Sequence, residues 1–302
     1  MRIVIAGGSG FIGEPLVRRL MSRGDEVAVL SRNPAKVQAG RGVAWDGKTQ
    51  GPWSQEVATA DVVVNLAGEN VGEGRWTDER KRRLVASRLD ATGAIVQALR
   101  DAPARNRTLV NASAVGYYGL RGDETLDESG ARGGGFLAEL VEKWEAAAHA
   151  AESLARLVIL RFGVALAPDG GALKKMMMPF KFGVGGPVGS GEQWMSWIDR
   201  DDVVRMVEWV IDDASVRGTY NATSPEPVRN RDFTRALGRA LHRPAFMLAP
   251  AFVLRIAFGQ MAEEVLLGGQ RVVPRRAERE GFRFEIPTLD ASFAKIHSAP
   301  RA

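Results

Sequence analysis

Met1-Arg2-Ile3-Val4-Ile5-Ala6-Gly7-Gly8-Ser9-Gly10-Phe11-Ile12-Gly13 opens the chain and reads as a buried strand, a glycine-rich turn and the start of a helix. Arg2–Ala6 supplies a β-branched apolar run. Gly7 permits a tight turn, Gly10 lets backbone N–H groups approach a pyrophosphate, and Gly13 lets the new helix pack closely on the strand. Leu16, Val17 and Leu20 then share one inward face. The cradle, with Ser9, Phe11 and Ile12 between its glycines, therefore reads as a dinucleotide site at a helix N-terminus.

Working outward, apolar runs at Arg2–Ala6, Glu26–Leu30, Asp61–Ala67, Thr108–Ser113 and Leu157–Phe162 alternate with helical patterns near 11–23, 77–100 and 136–153. Such alternation predicts an α/β fold, a doubly wound Rossmann sheet of parallel strands with helices on both faces. Ligands of these sheets bind beyond the carboxyl ends of the strands, here Gly7–Gly13, Ser31, Ala67–Gly68 and Ser113. From about Ala167 the rhythm changes. Glycine and proline become frequent, Met176–Met178 form an apolar knot, and Phe182–Gly191 reads as a loop. Residues 1–166 are expected to hold the cofactor, with 201–224 returning to that domain. Residues 167–200 and 225–302 are expected to form a smaller substrate-side region.

With 302 residues, 45% hydrophobic and 25% charged, the chain has the composition of an ordinary globular protein with a sizeable core. It contains no cysteine, which excludes disulfide and thiolate chemistry and suits a reducing cytoplasm. No leader and no membrane-spanning apolar stretch is visible, so the expectation is a cytoplasmic protein with no membrane partner. The net charge is +5, and the densest basic cluster, Arg80–Arg83, lies among Asp78, Glu79 and Asp90. That mixture reads as a solvated helix face, and no nucleic-acid partner is expected. His149, His242 and His297 are far apart, and no metal site is expected.

Nicotinamide cofactors differ at the ribose 2′ position. An acidic residue about twenty positions beyond the glycine turn favours NAD, whereas NADP needs a cation. This chain offers Ser31 and Arg32, and a guanidinium grips a phosphate through charge-assisted hydrogen bonds. The cofactor expected is NADP(H). Gly42-Val43-Ala44-Trp45-Asp46-Gly47-Lys48-Thr49 also fits a nucleotide phosphate loop, yet Val43–Trp45 reads as a strand and Gly51-Pro52 breaks any helix from Thr49.

Gly7–Gly13, Asn65-Leu66-Ala67-Gly68-Glu69-Asn70 and Asn111-Ala112-Ser113-Ala114-Val115-Gly116-Tyr117-Tyr118-Gly119 together resemble the extended short-chain dehydrogenase/reductase family. Ser87-Arg88-Leu89, Lys143-Trp144-Glu145 and Gly268–Pro274 narrow the likeness to an atypical, epimerase-like subgroup whose C-terminal part is a domain of unknown function. The resemblance implies an NADP(H)-binding domain and cofactor contacts at Ser31, Arg32, Leu66, Ala67 and Arg88, beside Gly68. Extended members also carry a Tyr-x-x-x-Lys pair for proton exchange. Here Leu137 and Val141 occupy those positions, and shifting the frame gives Phe136 and Leu140. Ser113, ending a strand, and Tyr117, beside Tyr118, are the remaining catalytic candidates.

The function expected is an NADP(H)-dependent oxidoreductase acting on a small-molecule carbonyl or alcohol substrate, with room for a homodimer. A non-catalytic NADP(H) sensor and a nucleotide-sugar epimerase are the alternatives. The dense group of Met176, Met177, Met178, Phe180, Phe182, Trp194, Met195 and Trp197 reads mostly as core. Any part of it lining the crevice would suit a flat or apolar ligand.

Overall fold

The computed structural model describes the backbone of residues 1–298 and side chains to Ile296; His297 and the end of the 225–302 range have side chains outside the described residues. Seven strands form a parallel sheet: β1 Arg2–Ala6, β2 Glu26–Ser31, β3 Arg41–Ala44, β4 Val62–Asn65, β5 Thr108–Ala114, β6 Arg156–Phe162 and β7 Gly218–Ala222. They lie in the order β7-β6-β5-β4-β1-β2-β3, the doubly wound Rossmann arrangement. The strand register pairs Ala6 with both Leu30 and Asn65, and Asn65 with Asn111. The carboxyl ends of β1, β2 and β4 are therefore level to within a residue, while β5 runs on past Asn111 to Ala114 alongside β6.

Alternate residues of a strand face opposite sides, which explains why the strands carry uninterrupted apolar runs. Ile3 and Ile5 join Leu16, Val17 and Leu20 of helix α1 (Gly13–Ser22) and Val203, Val207 and Val210 of helix α6 (Arg200–Asp212). Val4 and Ala6 face the other layer. There Val57 of α2 (Ser54–Thr59), Ile95 and Leu99 of α3 (Asp78–Asp101), and Ala148 of α4 (Phe136–His149) complete a second core. Thr77 caps α3 by accepting the Arg80 N–H at 3.1 Å.

Asn65 ends β4 earlier than the apolar run through Ala67 suggests, because its side-chain oxygen accepts the Ala67 N–H and turns the chain. The phosphate-loop pattern has another fate. Arg41–Ala44 is the edge strand, and the Asp46 carboxylate accepts the N–H groups of Lys48 and Thr49 at 2.8 Å each. A carboxylate thus occupies the amides that a phosphate would need.

Helix α5 (Gly171–Lys181) carries the methionine knot, with Met177 and Phe180 buried against Trp197, Phe233 and Phe293 in a third cluster. Phe233 belongs to α7 (Asn230–Leu241), and Phe293 to the terminal helix Leu289–Ser298. Much of the aromatic group read from the sequence is therefore core, although Met178 and Phe182 remain exposed. Helix α6 docks on α1 through Arg19–Glu208 and Arg23–Asp212 ion pairs. Its fully buried Asp202 accepts the N–H groups of Glu285 and Ile286 at 3.0 and 2.9 Å and pairs with Arg205. One carboxylate so fastens the C-terminal segment to the sheet's helix layer. Asp202→Ala should leave two amides unsatisfied and lower unfolding stability by about 3 kcal/mol in urea denaturation; an unchanged midpoint would remove this anchor from the account.

Candidate functional site

The level carboxyl ends of β1, β2 and β4 bring the glycine turn, the β2 end and the β4 loop to one crevice. Gly7 lies at φ +78°, where its N–H and carbonyl can turn, and the Gly10 N–H donates to the Gly7 carbonyl at 3.0 Å. A β-carbon on Gly13 would fall 2.2 Å from that carbonyl, and one on Gly7 would fall 2.8 Å from the Leu66 carbonyl. No larger residue fits at either point without moving backbone. Ile12 precedes α1 without a capping side chain; the Glu14 N–H donates to the Gly10 carbonyl at 3.0 Å and Pro15 has no N–H, so the amides left for a ligand at this end are those of Phe11 to Gly13. Ser9 and Gly10 are exposed beside it, with Phe11 half-buried. The Phe11 ring packs on Gly170 and Gly171 under the Arg200 guanidinium, so its side chain is structural while its backbone belongs to the cradle.

At the β2 end, Ser31 accepts the Asn33 N–H at 3.1 Å, and Arg32 is exposed. No carboxylate is placed there by the chain's own sequence. The Leu66–Asn70 loop is held from behind. Arg80 pairs with the Glu69 carboxylate and donates to the Asn70 carbonyl, while Arg88 donates to the Glu69 carbonyl at 2.9 Å and the Leu84 carbonyl at 2.9 Å. Arg88 is buried, and burial pulls its pKa down to about 10 against the opposing field of Glu69. Gly68 rests on the Arg88 guanidinium. Arg80 departs from the solvated face read in the sequence: its stem is folded inward to lock the loop.

Beneath the crevice lies a buried polar chain. Ser113 is 2% exposed and donates to Glu145 at 2.5 Å, and Glu145 takes a two-pronged ion pair from Arg161 at 2.8 and 2.7 Å. Arg161 also donates to the Tyr118 hydroxyl at 3.0 Å, which donates to Asn221 at 2.8 Å. Ser113, expected to orient a substrate, instead faces α4 with its hydroxyl committed. Tyr118 is fully buried, whereas Tyr117 is half-buried with its ring 3.5 Å from the Arg161 guanidinium. A cation under a ring face is attracted to it and fixes its plane.

The positions of the missing Tyr-x-x-x-Lys pair are filled with hydrocarbon. Leu137 lies against Gly116, and Leu137 and Val141 share one apolar cluster with Val71, Ala114, Tyr117 and Met261. Glu264, arriving from far along the chain, caps α4 by accepting the Phe136 and Leu137 N–H groups at 3.0 and 2.9 Å. Sequence reading missed the roles of Glu145, Arg161 and Glu264. The alternation of β5 carried part of the signal, since Ser113 shares a face with Asn111, whose side chain is also buried between sheet and helices.

Two outcomes follow from this buried chain. Glu145→Ala would strand a buried guanidinium and should cost about 3 kcal/mol of unfolding stability, while Glu145→Leu combined with Arg161→Met should cost far less; equal losses in urea denaturation would contradict the pairing. Burial also pushes the Tyr118 pKa from 10.0 up to about 12. Because the folded state holds this proton more tightly, the associated stability is whole below pH 10 and lost as pH rises towards about 12. Tyr118→Phe should flatten that alkaline decline in unfolding midpoint, and an unaltered decline would contradict it.

Comparison with known proteins agrees with this fold. A model of the NAD dependent epimerase/dehydratase family matches residues 3–223, and a domain of unknown function, DUF1731, matches residues 249–296. An epimerase family protein of Mycobacterium bovis is 39% identical over 99% of this chain and 98% of its own length. The crystal structure of the human epimerase family protein SDR39U1 (isoform 2) with NADPH is similar at a TM-score of 0.87 and 34% identity, covering 99% of each chain. A structure titled as the nucleoside-diphosphate sugar epimerase from Corynebacterium glutamicum gives a TM-score of 0.79 at 33% identity, over 97% of this chain and 57% of that one. The chain belongs to the NAD dependent epimerase/dehydratase family, in its atypical extended short-chain dehydrogenase/reductase branch with a DUF1731 C-terminal domain.

Proposed function

We propose that this chain is an NADP(H)-dependent oxidoreductase acting on a small carbonyl or alcohol substrate. The observation that carries the reading is the bare-backbone cradle at an uncapped helix start, with Ser31 and Arg32 where an NAD site would place an acid. These residues fit the cofactor: the Phe11 to Gly13 amides suit the pyrophosphate and Arg32 suits the 2′-phosphate. Leu66, Ala67 and Gly68, backed by Arg88, form the opposing wall. A relative of 34% identity crystallised with NADPH supports the same assignment. Bound nicotinamide would supply the hydride chemistry.

Tyr117 is the phenol assigned to proton exchange, because Tyr118 is enclosed and its hydroxyl is spent on Asn221. Ser113, Glu145 and Arg161 act as positioning residues that fix the ring from below. Residues 1–166 with 201–224 hold the cofactor in this reading, and 167–200 with 225–302 form the substrate side. The hydrocarbon wall of Val71, Ala114, Leu137 and Met261 favours a flat or apolar substrate over a sugar nucleotide, whose diphosphate would need clustered cations. Leu137 and Val141 also favour a second reading, a non-catalytic NADP(H) sensor.

Arg32→Asp should weaken NADPH binding about 100-fold in a fluorescence titration and leave NADH nearly unchanged; an equal loss for both would remove the cofactor preference. NADPH oxidation across a carbonyl panel separates the two readings. Turnover lost in Tyr117→Phe with NADPH affinity retained is the expected result, whereas tight NADPH binding without turnover on any substrate would establish the sensor.

A further inference from the structure

Helix α8 (Ala251–Phe258) has the sequence Ala-Phe-Val-Leu-Arg-Ile-Ala-Phe, seven apolar side chains of eight, and none of its residues is buried. Burial of a helix's apolar residues is ordinarily what stabilises it, so this one is short of a partner. Phe252 is 63% and Ile256 72% exposed, and the preceding Phe246 and Leu248 stand out at 74% and 57%. Backbone hydrogen bonds from Met247 N–H to Gly185 and from Ala249 N–H to Pro187 lay this segment beside the Phe182–Gly189 loop. Phe182, 76% exposed, and Val184 extend the same apolar surface. So many large exposed apolar side chains on neighbouring segments are uncommon on a monomer and mark an interaction site.

Its neighbour is basic. A shallow, open depression with mostly apolar walls lies among Arg235, Arg239, Arg243 and Phe246. Two acids reach these cations: Asp232 lies 3.6 Å from Arg235, and Asp290 lies 3.3 Å from Arg239. Lys181 precedes Phe182, and Arg255, paired with Glu263, sits within α8. Arg235, Arg239 and Arg243 thus stand beside Phe246, which belongs to both surfaces.

We propose that this face docks on an anionic lipid bilayer, with Arg235, Arg239 and Arg243 meeting headgroup phosphates and the Phe246–Ile256 side chains entering the acyl boundary. Apolar side chains beside clustered Arg and Lys are the chemistry that binds such a surface. Peripheral docking needs no spanning helix. The sequence expectation of no membrane partner rested on the lack of a long apolar run, which does not bear on a surface formed by folding.

The test is co-sedimentation of the full chain with vesicles of phosphatidylglycerol and phosphatidylcholine, against phosphatidylcholine alone. The expected result is retention on the anionic vesicles at least about tenfold above the neutral ones, falling as salt rises. Phe246→Asp with Phe252→Asp, and separately Arg235→Glu with Arg243→Glu, should each abolish retention while the thermal unfolding midpoint is kept. No retention on anionic vesicles, or retention indifferent to both pairs of changes, overturns the proposal. So does a dimer in sedimentation equilibrium that the same variants dissociate, since it would give the face to a second copy.

Discussion

Two α-carbons without a β-carbon set the form of the crevice. Gly13 allows α1 to begin within contact of the Gly7 carbonyl, and Gly7 allows the turn to touch Leu66 of the neighbouring loop. Hydrophobic packing of Ile3, Ile5, Leu16 and Val17 then fixes the helix on the sheet at that short distance. The consequence is that the Phe11 to Gly13 amides stand together at a positive helix end. In the proposed reading the groups that would recognise the rest of a dinucleotide surround those amides, from Arg32 at one strand end to the Arg80- and Arg88-braced loop at another.

The end of the crevice proposed to hold the substrate is built differently from the Tyr-Lys arrangement of extended family members. An ion pair between Glu145 and Arg161 is sealed between the sheet and α4, and a buried pair of this sort is stable only when its remaining lone pairs and protons are satisfied. Ser113 and Tyr118 do that. The charge of Arg161 reaches the crevice through the face of Tyr117, so the polar chain and the single half-buried phenol form one unit. Hydrocarbon from Leu137 and Val141 fills the remaining space and keeps that charge from water.

The sheet was legible because parallel strands buried on both faces carry unbroken β-branched runs, as Ile3–Ala6 and Val62–Val64 do. The cradle was legible because close backbone approach admits only glycine. Arg32 could be read from charge alone. What sequence could not convey is which partner a buried polar side chain meets. Arg161 sits inside a strand-like run, Glu145 is one acid among several on α4, and Glu264 caps a helix 128 residues earlier. Arg80 looked like a surface cation because its neighbours are charged, yet Glu69 draws it inward. Each is a long-range pairing that local pattern does not encode.

The most direct measurement is a crystal structure of the chain grown with NADPH. The account requires the pyrophosphate on the Phe11 to Gly13 amides, the 2′-phosphate against Ser31 and Arg32, and the nicotinamide beside Tyr117 and the Leu137 wall. A nucleotide bound elsewhere, or a 2′-phosphate turned away from Arg32 into solvent, would contradict it.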